Sequence, residues 1–263
     1  MNRNCIALLA VIYALTLATT SKAASVVAYY ANFDDATYLM PGVTGGPSGF
    51  VLSAWSQDFA GHGTGSNVIS RSFLYNDTGD NFTHTPSQVT YFTLYNLPTH
   101  TSVDINFLLA VVDTWDGGVN NLTSASDLFN VTVDGTQVFR ESFKNGSGGS
   151  QSYVPPAGAF VGSGSFGYEI FDDSVYDMSF ESRLHNIAHT SSTLTIGLFA
   201  NGQNWNRPAN EAWAVDNVKI VLNGAVAIPE TSTFVTTGLL SGVMVGFLLI
   251  RNSMTRRRSN SHV

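Results

Sequence analysis

One cysteine is all that 263 residues carry, and it is Cys5. It falls in a leader segment expected to be removed, so the mature chain has no thiol and no disulfide. Cys5 precedes the apolar core of that leader rather than following it, which excludes a lipoprotein cysteine. Basic residues are scarce as well. Only Arg71, Arg140, Lys144, Arg183, Arg207 and Lys219 lie in residues 24–227, against eighteen acids, giving that stretch a formal charge of −12 where the whole chain has −7. A surface of this sign repels nucleic acid and anionic lipid and attracts divalent cations. No apolar stripe of helical period occurs between residues 24 and 227, which argues against a helical domain. Nucleophile and zinc motifs of the Gly-x-Ser-x-Gly and His-Glu-x-x-His kinds are missing too. His62, His84, His100, His185 and His189 are scattered. His185 and His189 have ligand spacing only on a helix, in a context that reads as strand and turn, so they are expected at the surface. Glu169, Asp172, Asp173, Asp177 and Glu181 could furnish a glycosidase pair, but read more simply as a solvated acidic loop.

Alternation is abundant. Val103, Ile105, Phe107, Leu109 and Val111 share one parity with Asp104 and Asn106 opposite, the pattern of a strand with one buried face. Phe129, Val131 and Val133 repeat it, and Asp134-Gly135 then predicts a tight hairpin turn before residues 137–143 return. Residues 26–33 predict a first strand; Val218, Ile220 and Leu222 mark a last one. Other strands are expected around Trp55, at Val68 and Ile69, and over residues 88–94, 176–185 and 194–198, with loops at 41–49, 145–152 and 155–167. Many strands with Gly-rich turns in a 204-residue stretch, 24–227, suit one all-β domain, a β-sandwich with a sizeable core.

The two ends differ from this middle. Residues 1–23 read as a secretory signal peptide: Arg3 leads, residues 6–17 are apolar, and Ser21-Lys22-Ala23 puts small residues where signal peptidase reads, so cleavage after Ala23 is expected. Residues 228–263 divide into a short motif, Ile228-Pro229-Glu230-Thr231-Ser232-Thr233, an uncharged apolar run over 234–250, and a basic tail over 251–263 with Arg251, Arg256, Arg257 and Arg258. At ~1.5 Å per residue the run would span about 25 Å as a helix, the short limit for a bilayer. Gly238, Gly242 and Gly246 recur every fourth residue, a spacing that lets a partner helix approach closely. The arginines would hold the tail in the cytoplasm and place everything upstream outside.

Motif, helix and basic tail together resemble the PEP-CTERM sorting signal of Gram-negative bacteria. Pro229-Glu230 matches the first Pro-Glu of that motif, and Thr231 departs from its usual second Pro. The resemblance implies a membrane exosortase as processing partner, passage through the inner membrane, and a place in the cell envelope or extracellular matrix of a cell that makes exopolysaccharide. Residues 113–117, 127–135 and 211–218 resemble, more loosely, secreted jelly-roll modules of the lectin-like type. That second resemblance implies a jelly-roll sandwich with first and last strands side by side.

Two candidate sites stand beside plainer structural readings. Asp113 shares the parity of Val111, and Asp216 that of Val218, so both carboxylates are placed on apolar strand faces, where each needs a cation or several donors. A structural calcium held by Asp34 or Asp35, Asp113 or Asp116, and Asp216 is one reading. Capping of strand ends through backbone N–H groups is the other. Trp115 and Trp205 stand in loop-like sequence beside Asp116, Asn204 and Asn206, a pattern suited to stacking a sugar ring; plugging the ends of the sandwich is the alternative. Trp213 is assigned to the core or its edge. The expected function is therefore non-enzymatic, with a carbohydrate-binding module as the second reading and a glycoside hydrolase or lyase as the third.

Overall fold

The computed structural model describes residues 24–225 apart from 36, 50–51, 56–58, 80–84, 119–126, 146–149, 166–171, 203–204 and 206–210, with the backbone alone for 52–55. The leader and the whole of 228–263, including Pro229, Glu230, Thr231 and the four tail arginines, lie outside the described residues. Among the described residues no helix is long and apolar enough to cross a membrane.

Strands dominate. In chain order they are β1 (Ala24–Ala31), β2 (Tyr38–Leu39), β3 (Thr44–Gly49), β4 (Leu52–Trp55), β5 (Gly63–Thr64), β6 (Asn67–Val68), β7 (Ser72–Asn76), β8 (Thr90–Tyr95), β9 (Ser102–Asp113), β10 (Leu128–Val133), β11 (Thr136–Ser142), β12 (Val161–Gly164), β13 (Asp173–Asp177), β14 (Ile187–Ala188), β15 (Thr193–Asn201) and β16 (Glu211–Ala225). Two 3-10 turns, Met178–Phe180 and Ser182–Leu184, fall between β13 and β14.

One sheet runs β12-β13-β9-β16-β1-β2, with β14 also on β9 and β7 carrying β4 alongside β16; the other runs β11-β10-β15-β8-β3; β5 and β6 pair separately. All of these pairings are antiparallel. The first and last strands are neighbours, with Ala24 opposite Ala225. The hairpin between β10 and β11 turns at Asp134 and Gly135 with φ of 49° and 79°, the type I′ geometry that suits the twist of the flanking strands.

The two large sheets face each other across one core. Val103, Ile105, Phe107, Leu109 and Val111 on β9 and Ile220 and Leu222 on β16 meet Phe92 and Leu94 on β8, Phe129 and Val131 on β10, and Leu194, Ile196 and Leu198 on β15. The ring contacts Tyr29–Phe92 at 5.8 Å and Phe107–Phe129 at 6.2 Å join the layers. The alternation of the sequence therefore describes the inner faces correctly.

Elsewhere the expectations need correcting. The first half of β9 alternates, but residues 107–113 are buried on both sides. Leu108, Ala110 and Val112 join Ala212, Ala214 and Val175 in a second apolar cluster on the outer face, roofed by Phe59, Ile69, Phe73 and Phe160. Residues 44–49 form an edge strand on β8 rather than a loop, because Gly45 and its neighbours allow close approach. A Cβ on Gly45 would lie 2.0 Å from the Thr93 carbonyl oxygen. Residues 178–184 leave the sheet in 3-10 turns where a strand is expected, with the Asp177 and Glu181 carboxylates accepting from Ser179 and Arg183 backbone N–H groups.

Candidate metal centre at the acidic end of the sandwich

The C-terminal end of β9 meets the N-terminal end of β16, with Asp113 opposite Glu211. The chain leaves β9 in the left-handed region, at φ +64° for Asp113, a conformation that Asp tolerates better than most side chains. That reversal throws Trp115 inward. Its indole Nε1–H donates to the Ala212 carbonyl at 2.9 Å, and its ring meets Trp205 edge-on at 5.1 Å. Trp205 in turn donates Nε1–H to Thr78 O at 2.8 Å. Both rings have 0% exposure. They plug this end of the sandwich and offer no face to a sugar, which corrects the stacking-platform expectation. Polar neighbours in sequence do not expose a Trp whose own N–H has a backbone acceptor inside. Trp213 is in the core as expected. Asn204 and Asn206 lie outside the described residues.

The residue after Trp115 returns to the surface. Asp116 bridges to Lys144 in the antiparallel sense, and its backbone N–H donates to Asp127 Oδ2 at 2.5 Å. Asp127 stands just before β10. It is wholly buried, and its Oδ1 has no hydrogen-bond partner among the described residues. Burial is the main reason that its carboxyl is pushed up to about 7; the Asp116 N–H opposes the shift and the Asp116 charge adds to it. Glu211, buried at the first position of β16, completes the group. One oxygen from each of Asp116, Asp127 and Glu211 lies within 4.8 Å of the others.

Of the expected calcium ligands, the structure brings only Asp116 to this cluster. Asp113 is close in the chain, but its carboxylate is not among the three; its backbone N–H donates to Asp173 Oδ1 at 3.1 Å. Asp216 lies opposite Leu108, five residues along β9 from Asp113, about 17 Å at the usual strand rise. No single ion can reach both. The parity argument for Asp216 fails at a β-bulge: Asp216 and Lys219 face Leu108 and Asn106, so β16 carries one extra residue there. Asn217 sits in it at φ +50°. The insertion reverses the side-chain alternation, so Asp216 joins the outer side of Ala212 and Ala214 rather than the inner side of Val218. There Asp216 Oδ2 accepts from the Ser70 N–H at 2.6 Å and the Ser70 hydroxyl at 2.8 Å, and Oδ1 accepts from the Asn217 N–H at 2.6 Å. Asp34 accepts from the Arg71 and Ser72 N–H groups at 3.1 and 2.9 Å, and Asp35 from the Asn32 side chain at 3.1 Å. Asp34 and Asp216 thus strap residues 70–72 onto the sheet through hydrogen bonds.

Sequence reasoning missed Asp127 and Glu211 as members of an acidic cluster. Asp127 directly precedes β10 and Glu211 opens β16, and such a position is aimed by the strand's register rather than by its own neighbours. A carboxyl held near neutrality beside a second carboxylate also describes a hydrolytic pair, but Asp127 has no solvent-exposed surface with which to meet a substrate. Beside this end lies a polar cleft of about 510 Å³ lined by Lys144, Asn145, Asp172, Asp173 and Ser174 among others.

The acids read as a solvated loop are mostly packed: Asp173, Asp177 and Glu181 are buried, and Glu169 lies outside the described residues. His189 is not at the surface either. It stacks on buried His100, with Nδ1 2.7 Å from His100 Nε2. The outer nitrogens face Pro98 O at 2.6 Å and Thr193 O at 3.2 Å. No family model matches the chain, and no curated protein matches it.

Proposed function

We propose that the chain is an exported, non-enzymatic protein of the cell envelope or extracellular matrix, associated with exopolysaccharide. It leaves through the Sec route, is held at the inner membrane by its last 36 residues, and is processed there by an exosortase-like enzyme. The observation that carries this reading is the order Pro229-Glu230, apolar run, arginines, placed directly after an acidic, cysteine-free β domain. The strand register supports it. Ala24 pairs with Ala225, so cleavage after Ala23 and within 228–231 would remove no described strand. The domain itself reads as a jelly roll: β1-β16-β9-β13 facing β8-β15-β10-β11, with the chain passing between sheets, is the order of two Greek keys. Mass spectrometry of the native protein tests the proposal through both termini. An N-terminus at Ala24 and a C-terminus between 228 and 233 are expected. An intact 263-residue polypeptide in the cytosol would refute export.

One observation favours carbohydrate binding as a second reading. Tyr91 and Tyr95 on the outer face of β8 are 40% and 48% exposed, about 13 Å apart at the usual rise. Thr93 lies between them; Thr193, Thr195 and Gly197 on β15 and Thr44, Gly46 and Ser48 on β3 stand opposite Tyr95, Thr93 and Tyr91 in turn. These residues form a flat, uncharged patch of rings and hydroxyls, suited to a neutral glycan chain. Retention on neutral polysaccharide gels that Tyr91→Ala and Tyr95→Ala each reduce at least tenfold would support it. Equal retention of wild type and both variants removes it.

A further inference from the structure

We propose that Asp116, Asp127 and Glu211 hold a calcium ion that clamps three chain segments at the acidic end of the sandwich: the turn after β9, the approach to β10, and the start of β16. Two independent observations converge. The first is the meeting of three carboxylates from three segments, with one oxygen of each within 4.8 Å of the others. Ionised together, three such groups repel unless something positive sits among them. The second is Asp127 itself. Its Oδ2 is taken by the Asp116 N–H, while Oδ1 is sealed from solvent and has no donor among the described residues. A buried acceptor left in that state is costly, and a cation removes the cost.

The chemistry of the donors selects the ion. All three are hard carboxylate oxygens, with no imidazole or thiolate, which disfavours zinc and copper. Calcium binds oxygens at about 2.3–2.6 Å and accepts irregular surroundings. Donors around one such ion are separated by at most about 5 Å, twice that distance, and the three oxygens satisfy this. Asp116 is exposed, which leaves a solvent side where waters complete six to eight ligands. Magnesium demands a tighter octahedron and gives up its waters reluctantly. The ion would fix Asp116, and with it the turn that holds Trp115 against Trp205 and seals the core. Its role is structural.

This inference is independent of the export reading, because it concerns binding by the purified chain wherever it resides. The test uses the full chain in detergent, titrated with calcium chloride or with EGTA. At a concentration about 100 times Kd, a ligand specific to the folded state should raise the Tm by roughly 5–10 °C for a domain of this size. Asp127→Asn should abolish the shift. Because Asp127 is buried and that variant can fail to fold, Asp116→Asn at the exposed ligand is the second arm. It should lower calcium affinity at least tenfold and abolish terbium luminescence excited through the tryptophans. Asp34→Asn, in the strap over residues 70–72, should keep the whole shift. Identical melting in calcium and EGTA overturns the proposal. So does an undiminished shift in Asp116→Asn, a lost shift in Asp34→Asn, or magnesium matching calcium at equal concentration.

Discussion

Replacing Trp115 by Ala separates the two readings of that residue by a wide margin. As a platform on the surface, its ring would contribute almost nothing to stability, and truncation would fall within about 0.5 kcal/mol of zero. As a plug, it is fully buried and touches Phe143 and Trp205 at ring distances of 6.2 and 5.1 Å. Truncating such a ring typically costs about 3–5 kcal/mol in lost burial and cavity. The Ala212 carbonyl also loses its 2.9 Å donor, which adds about 1 kcal/mol. The expected total is therefore about 4–6 kcal/mol, or roughly 8–24 °C in Tm for a domain of this size. Trp115→Phe keeps most of the ring and should lose about 1–3 kcal/mol, the share of the missing donor and a smaller void. Urea denaturation followed by far-UV circular dichroism reads both variants, and iodide quenching of the native protein reports the exposure of the indoles. A Trp115→Ala protein within 1 °C of wild type, together with ready quenching, would refute the burial of this end of the sandwich.

Three further perturbations have definite expected outcomes. Burial is the main cause pushing the Asp216 carboxyl up to about 6 from an ordinary 3.8, against the donors from Ser70 and Asn217. The folded state then keeps a proton that the unfolded chain releases, so the associated stability is full below about pH 4 and is lost as the pH rises through 6, by at most about 3 kcal/mol. Urea midpoints at pH 4 and pH 7 should differ less in Asp216→Asn than in wild type; equal differences would contradict the shift. Arg183 bonds Glu181 at 2.8 Å and Glu141 at 2.5 Å and lies over the Phe139 ring at 4.5 Å. Arg183→Met strands the buried Glu181 carboxylate and should cost about 2–3 kcal/mol, less than a fully buried pair because Arg183 is partly exposed. Glu181→Gln in the same chain should restore part of that loss in a double-mutant cycle. Gly79 has φ +112°, and a Cβ there would lie 2.2 Å from Trp205 Nε1. Gly79→Ala should lower stability by more than about 2 kcal/mol, measurable as a fall in Tm.

How much of this was legible in the sequence depended on the distance over which each signal acts. The strands at 103–111 and 129–133 with their inward-facing residues, and the Asp134-Gly135 turn, are set by neighbours one or two residues apart, and these stand as expected. The outer roof of Phe59, Ile69 and Phe160 over β9 and β16 is a long-range packing event, and nothing local in 107–113 announces a second buried face. Asp216 was misplaced by a single inserted residue, since a parity argument carries no memory of bulges. Trp115 and Trp205 misled because Asn and Asp beside a ring describe the backbone's exposure rather than the ring's. The acidic cluster was half legible. Excess negative charge and strand-end carboxylates pointed to a cation, but only the register of β9 against β16 decides which carboxylates meet.

The pairing of β1 and β9 on either side of β16 has a mechanical consequence. A load entering at Ala225 would be directed along a fifteen-residue strand whose last part, residues 218–223, is held between β1 and β9. It would have to slide the strand through two rows of hydrogen bonds at once instead of peeling an edge. The last described strand is therefore well rooted in the sheet, and a pull on Ala225 meets a shearing load rather than an unzipping one.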